Sequence, residues 1–163
     1  MTFVVADTSP INYLVLIGEI DLLPRLYGKV LIPDAVLSEL CDPGSPTVVS
    51  AWALMPPTWL EVVLTVACDV NPSSLDPGEL AAITLAGSVR ADVLLLMDDM
   101  AGRSAASELG LRSTGTLGVL RAASQKGLIE LDRALDKLGQ TNFYLPARLV
   151  AFLRAEARVR KAD

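Results

Sequence analysis

Three short apolar runs, each closed by a capping or turn residue and followed by a helix-patterned segment, constrain this chain more than any other feature: Phe3–Ala6, Val30–Ile32 and Val93–Met97. Their β-branched and aliphatic make-up suits strands covered on both faces. Leu111–Ser113 reads as a further short strand and Trp59–Val66 as a strand or extended arm. Helices are expected between them. Asp7-Thr8-Ser9-Pro10 supplies an N-cap and a first-turn proline, and Gly18 stops the helix that follows. Further helices are expected over 19–27, 34–40, 47–55, from Asp76-Pro77-Gly78-Glu79 to about Arg90, from Asp99 to Leu109 and over 116–126, with Gly28, Gly110 and Gly127 as stops. Asp42–Pro46 and Asn71–Ser74 read as loops. Strands alternating with helices indicate an α/β sandwich with a mainly parallel central sheet. At 163 residues the chain is expected to form a single domain, 1–163, with a core over 3–130 and a helical C-terminal extension over 131–163.

The absent residues narrow the chemistry. There is no histidine, which removes Ser-His-Asp and Cys-His nucleophiles and His-ligated zinc. Cys41 and Cys68 are too few and too far apart for a thiolate metal site, and unpaired thiols in a reducing cytosol are expected. No signal peptide is visible and no apolar run approaches the ~20 residues of a membrane span, so a cytoplasmic protein is expected. Aromatic residues are only 5% of the chain, which argues against a single-strand platform built on aromatic faces.

What remains is carboxylates, and their placement is specific. In open parallel sheets ligands sit at the carboxyl ends of the strands. Two apolar runs end in aspartate there, at Asp7 and Asp98. Glu39, on the helix after the second strand, and Glu79, in the first turn of the helix before the Asp98 strand, are placed to join them. Clustered carboxylates ionise together only around a cation, and oxygen ligands without His or Cys select Mg²⁺ or Mn²⁺. The expected chemistry is metal-assisted phosphodiester hydrolysis. Each acid also has a structural reading: Asp7 as a helix cap, Glu79 as the partner of Asp76 in a capping box, Asp98 or Asp99 as the cap of the next helix, and Glu39 as a surface acid. Thr114-Gly115-Thr116 reads as a cap and turn in which Thr116 could hold a water or metal.

At these residues the sequence resembles the PIN-domain nucleases, of the VapC-like type found as toxins in toxin–antitoxin modules. The resemblance lies in Val5-Ala6-Asp7-Thr8-Ser9-Pro10, in Val30-Leu31-Ile32-Pro33 followed by Val36-Leu37-Ser38-Glu39-Leu40, and in Leu75-Asp76-Pro77-Gly78-Glu79-Leu80-Ala81-Ala82-Ile83. It continues in Leu94-Leu95-Leu96-Met97-Asp98-Asp99 with Arg103, and in Ser113-Thr114-Gly115-Thr116-Leu117-Gly118-Val119-Leu120. It implies a three-layer α/β/α sandwich, divalent-metal-dependent RNA cleavage, frequent homodimerisation and, for toxin members, an antitoxin protein partner. Asp7, Glu39, Glu79 and Asp98 would hold Mg²⁺ or Mn²⁺, with Thr8, Ser9, Asp99 and Thr116 as secondary contacts. Two features depart from the family pattern. The third acid is Glu79 after a glycine, and Asp99 adds a fifth acid next to Asp98. The alternative is a catalytically silent PIN-like module that binds protein or RNA.

Two other α/β folds with an Asp after the first strand fit less well. Haloacid-dehalogenase-like phosphatases need an Asp where Ser9 stands, and both they and response-regulator receivers need a Lys where this chain, with only Lys29, Lys126, Lys137 and Lys161, has none. The charge is uneven. Residues 1–99 hold 3 Lys+Arg against 13 Asp+Glu, and residues 100–163 hold 11 against 6. A basic second half can guide RNA although the net charge is −5, and Arg103, Arg112, Arg154, Arg158 and Arg160 are the candidate contacts.

Overall fold

A computed structural model describes residues 1–66 and 74–162. Among them run the strands β1 (Thr2–Ala6), β2 (Val30–Pro33), β3 (Leu60–Val63), β4 (Asp92–Leu96) and β5 (Arg112–Thr114). The helices are α1 (Thr8–Leu16), α2 (Leu22–Tyr27), α3 (Asp34–Cys41), α4 (Thr47–Ala53), α5 (Pro77–Ser88), α6 (Met100–Glu108), α7 (Thr116–Gln125), α8 (Leu131–Gly139) and α9 (Ala147–Ala162). The expected extended segment over 59–66 shortens to four residues, two of them exposed, because β3 is an edge strand with one neighbour to cover it. The expected second helix begins at Leu22 rather than Glu19. Cys68 and most of the expected loop at 71–74 lie outside the described residues.

The sheet has the order β3-β2-β1-β4-β5, and every pairing is parallel. From β1 the chain winds outward through β2 to β3, and from β4 it winds the other way to β5. The order therefore reverses between β1 and β4, where the carboxyl ends of parallel strands leave a crevice. β1 and β4 pair along their whole length, from Thr2 opposite Asp92 to Ala6 opposite Leu96.

Alternation along these strands builds two apolar layers. Val4, Ala6, Val30, Ile32 and Leu96 face one side, where Ile11, Leu14, Leu22, Leu40, Leu120, Leu135 and Leu153 pack against them. Val5, Val93, Leu95 and Met97 face the other, against Ala82, Ile83 and Ala86 of α5 and Ala106 of α6. The result is an α/β/α sandwich. Through Leu131, Ala134, Leu135 and Leu138, α8 buries a full stripe in the first layer, and Leu153 anchors α9 there. Where α6 and α7 end, Gly110 and Gly127 take φ of +74° and +69°, the left-handed conformation that closes a helix and that other residues adopt at a cost. Among the described residues no helix is long and apolar enough to cross a membrane.

Leu95 is fully buried on a central strand beneath α5 and α6. Leu95→Ala is expected to lower stability by about 2–5 kcal/mol, the usual cost of such a cavity, read as a fall in the urea midpoint with an unchanged denaturant slope.

Candidate active site

The β1–β4 register delivers two aspartates to the crevice. Beyond Ala6, the Asp7 N–H donates to the Leu96 carbonyl at 2.9 Å, so the ladder runs one step past the strand and carries the Asp7 side chain to 4% exposure. Asp7 occupies the N-cap position of α1, yet its carboxylate caps nothing. Its Oδ1 is buried with no hydrogen-bond partner. On the neighbouring strand, Met97 N–H donates to the Thr114 carbonyl at 2.8 Å, which brings the β5–α7 turn against Asp98.

Asp98 is saturated with donors. Ser9 Oγ and Thr116 Oγ1 each donate to Oδ2 at 2.7 Å, and Thr116 N–H donates to Oδ1 at 2.7 Å. The turn can come this close because residue 115 is glycine: a Cβ there would lie 2.6 Å from Asp98 Oδ1. Glu39 is held in the same way from another side. Thr8 Oγ1 donates to its Oε2, and Gly78 N–H, at the start of α5, donates to Oε1 at 2.9 Å. Glu79 forms a reciprocal capping box with Asp76: its N–H donates to Asp76 Oδ1 at 2.8 Å and its Oε2 accepts from Asp76 N–H at 3.3 Å. Of the two adjacent aspartates, Asp99 is the helix cap, accepting from Gly102 N–H at 2.8 Å.

These groups line one cavity of about 860 Å³, together with Asn12, Tyr13, Asp76, Arg103, Arg121 and an aromatic wall of Phe143, Tyr144 and Phe152. Asp7, Thr8, Ser9, Glu39, Glu79, Asp98 and Asp99 all line it, and Thr116 reaches it through Asp98.

A PIN-domain family model matches residues 3–158. The chain belongs to the PIN-domain family. Searches of curated proteins and of solved structures find no match.

The electrostatics of this PIN domain centre on Asp7. Burial pushes its carboxyl from 3.8 up to about 8; the Thr8 N–H pulls the other way, and the charges of Asp76, Glu79 and Glu39 push further up. Glu79 rises from 4.5 to about 7, first through burial, then through the hydrogen bond to the Asp76 side chain and the charge of Asp76. An unpartnered, buried oxygen among acids is the environment that a cation relieves. Among the described residues no three Asp, Glu or Cys side chains are arranged as ligands of one ion. Mg²⁺ is bound through only one or two carboxylates and keeps several waters, so the all-oxygen donor set fits such an ion, with Asp7 offering the free atom.

The arginines divide. Arg103 lines the cavity, its Nε donating to Ser113 Oγ at 3.3 Å. Arg112 pairs with Asp92 at 2.8 Å, where β4 and β5 begin, at the end of the sheet away from Asp7. Arg154 is shared by Asp132 and Asp136, and Arg160 pairs with Glu156. None of Arg112, Arg154, Arg158 or Arg160 lines the cavity. Arg121 does, and sequence reasoning missed it. It also missed Asp76 as a cavity residue, although the three-residue spacing to Glu79 sets both acids on one turn. Tyr13, one helical turn beyond Ser9, was missed as well.

Two outcomes are expected. The folded-state values of Asp7 and Glu79 lie above their unfolded values, so the native state binds more protons and stability falls as pH rises from about 4 to about 8. Urea denaturation in EDTA should show this fall, and Asp7→Asn should remove most of it; a flat wild-type profile would count against the burial of an uncompensated carboxyl. A Cβ at Gly78 would lie 2.5 Å from both Glu39 oxygens. Gly78→Ala is therefore expected to displace Glu39 and to lower stability by about 1–3 kcal/mol, read as a fall in the urea midpoint of the variant.

Proposed function

We propose that this PIN domain is a divalent-metal-dependent ribonuclease that hydrolyses RNA phosphodiesters, and that it is the toxin of a toxin–antitoxin pair. The observation that carries the nuclease reading is Asp7: a carboxylate at the sheet's reversal point, almost wholly buried, with one oxygen left without a partner. Asp7, Glu39, Glu79 and Asp98 would hold Mg²⁺ or Mn²⁺. Such an ion, when bound, supplies charge neutralisation at a phosphate and acidifies water.

The chain's own residues do the positioning. Thr8 and Gly78 fix the Glu39 carboxylate, and Ser9 and Thr116 fix that of Asp98. Burial raises the Glu79 carboxyl to about 7, so it would give up its proton near neutral pH on binding a cation. Arg103 brings a positive charge to the cavity for the phosphate chain. The toxin role, an antitoxin partner and homodimerisation are supported by the likeness of the motifs around Asp7, Glu39, Asp98 and Thr116 to VapC-like toxins.

One observation favours a second reading, a silent binding module: no three described acids stand as ready ligands. RNA cleavage in Mn²⁺ or Mg²⁺ against EDTA separates the two. Cleavage is expected only in the metal-replete wild type, with Asp7→Asn and Asp98→Asn reduced to background. Binding without cleavage at any metal concentration would establish the silent module. Thr116→Val removes one donor to Asp98 while keeping its volume, and is expected to cost about 10–100-fold in metal affinity or activity, with Mn²⁺ titration showing which.

A further inference from the structure

The chain has three Phe, three Tyr and two Trp, and four of these eight rings meet on one cavity: Tyr13, Phe143, Tyr144 and Phe152. The low aromatic content argued against a stacking surface, but the fold concentrates the rings instead of dispersing them. Tyr13 and Phe143 pack edge to face, 4.9 Å between centroids, and Tyr13 Oη donates to Asn142 at 2.7 Å. That pair props up the segment carrying Tyr144, which is 81% exposed. Phe152, 56% exposed, has the Arg121 guanidinium 6.0 Å over its ring, and Glu156 grips that guanidinium through two hydrogen bonds of 2.9 and 2.7 Å.

The wall joins the acidic end through α1. Ser9 is bonded to Asp98, and Tyr13 lies four residues on, about 6 Å along the helix on the same face. Burial and then the Asp98 carboxylate push the Tyr13 hydroxyl up, so the two ends of the cavity feel each other.

We propose that this wall is a stacking platform for the unpaired bases of single-stranded RNA, with Tyr144 and Phe152 as the stacking residues beside the acidic centre. The assignment rests on the nuclease reading for the polymer it names. It selects that polymer because rings, arginines and a cation-seeking acidic end share one cleft, matching a chain in which planar bases alternate with phosphates. An amphipathic protein helix would instead call for a continuous apolar groove with anchors at i, i+3, i+4 and i+7. Leu117, Pro146, Leu149 and Leu153 add apolar lining, but Arg121 lies over the Phe152 ring and Arg103 and the acids share the same cavity, which a purely apolar helix face would leave unmatched.

The test is binding, measured in EDTA so that cleavage plays no part. Full-length protein is titrated, by fluorescence anisotropy, with a labelled single-stranded RNA and with the same strand carrying abasic sites. Tyr144→Ala is expected to weaken binding to the base-bearing strand about tenfold and to leave the abasic strand unchanged. Tyr144→Phe should keep wild-type affinity, and Phe152→Leu should repeat the loss while preserving apolar bulk. Circular dichroism checks that each variant is folded. Equal affinity of wild type and Tyr144→Ala, a loss shared by the abasic strand, or no binding by wild type would overturn the platform and leave the wall to a protein segment. Metal-dependent cleavage lost in Asp7→Asn would in that case still uphold the nuclease reading, so the two fail separately.

Discussion

The parallel ladder between β1 and β4 dictates where the acids go. Five residue pairs lie in register, and the Asp7 N–H extends the ladder by bonding to the Leu96 carbonyl. Backbone pairing and the apolar layers on either side determine that position, and the carboxylate follows its own main chain into a place almost without water. A desolvated carboxylate opposes folding at neutral pH, so the sheet must supply the stability that holds it there. Val4, Val5, Ala6, Leu95 and Leu96, all 2% exposed or less, are where it does so.

The acids around the cavity are of two kinds. Asp98 and Glu39 have both oxygens occupied by hydroxyl or backbone donors from three different segments, the starts of α1, α5 and α7, which holds each side chain in place. Asp7 keeps an oxygen free. Oriented acids surround one unsatisfied acid, so preorganisation and reactivity are divided between different residues. The glycines at 78 and 115 make the arrangement possible, because each lets a backbone N–H or turn approach a carboxylate where a methyl group would collide.

Much of this was readable in the chain. Strands buried on both faces announce themselves as uninterrupted apolar runs, and acids that directly follow them fall at the carboxyl edge. The half-exposed edge strand β3 was less distinct, and the stripe Leu131, Ala134, Leu135 and Leu138 of α8 was read only as part of a helical tail. Asp7 and Asp99 look equivalent in sequence, each heading a helix. Asp99 turns back to Gly102 N–H while Asp7 caps nothing, a difference of side-chain orientation that composition and spacing do not encode. The aromatic wall was invisible for another reason. Tyr13 is separated by more than a hundred residues from Phe143, Tyr144 and Phe152, and only the packing of α1 against the segment leading into α9 unites them.

The clasp of Glu156 on Arg121 joins α7 to α9 behind that wall, with Arg160 adding a second contact from the next helical turn. The Arg121 guanidinium holds the Glu156 carboxyl down at about 2, whereas Asp7 and Glu79, across the cavity, change charge near 8 and 7. The two sides of the cleft thus keep separate protonation clocks. Mild acidification therefore acts on Asp7 and Glu79 while the Glu156–Arg121 clasp on the far wall stays charged, so part of the cavity's negative charge is removed without loosening that wall.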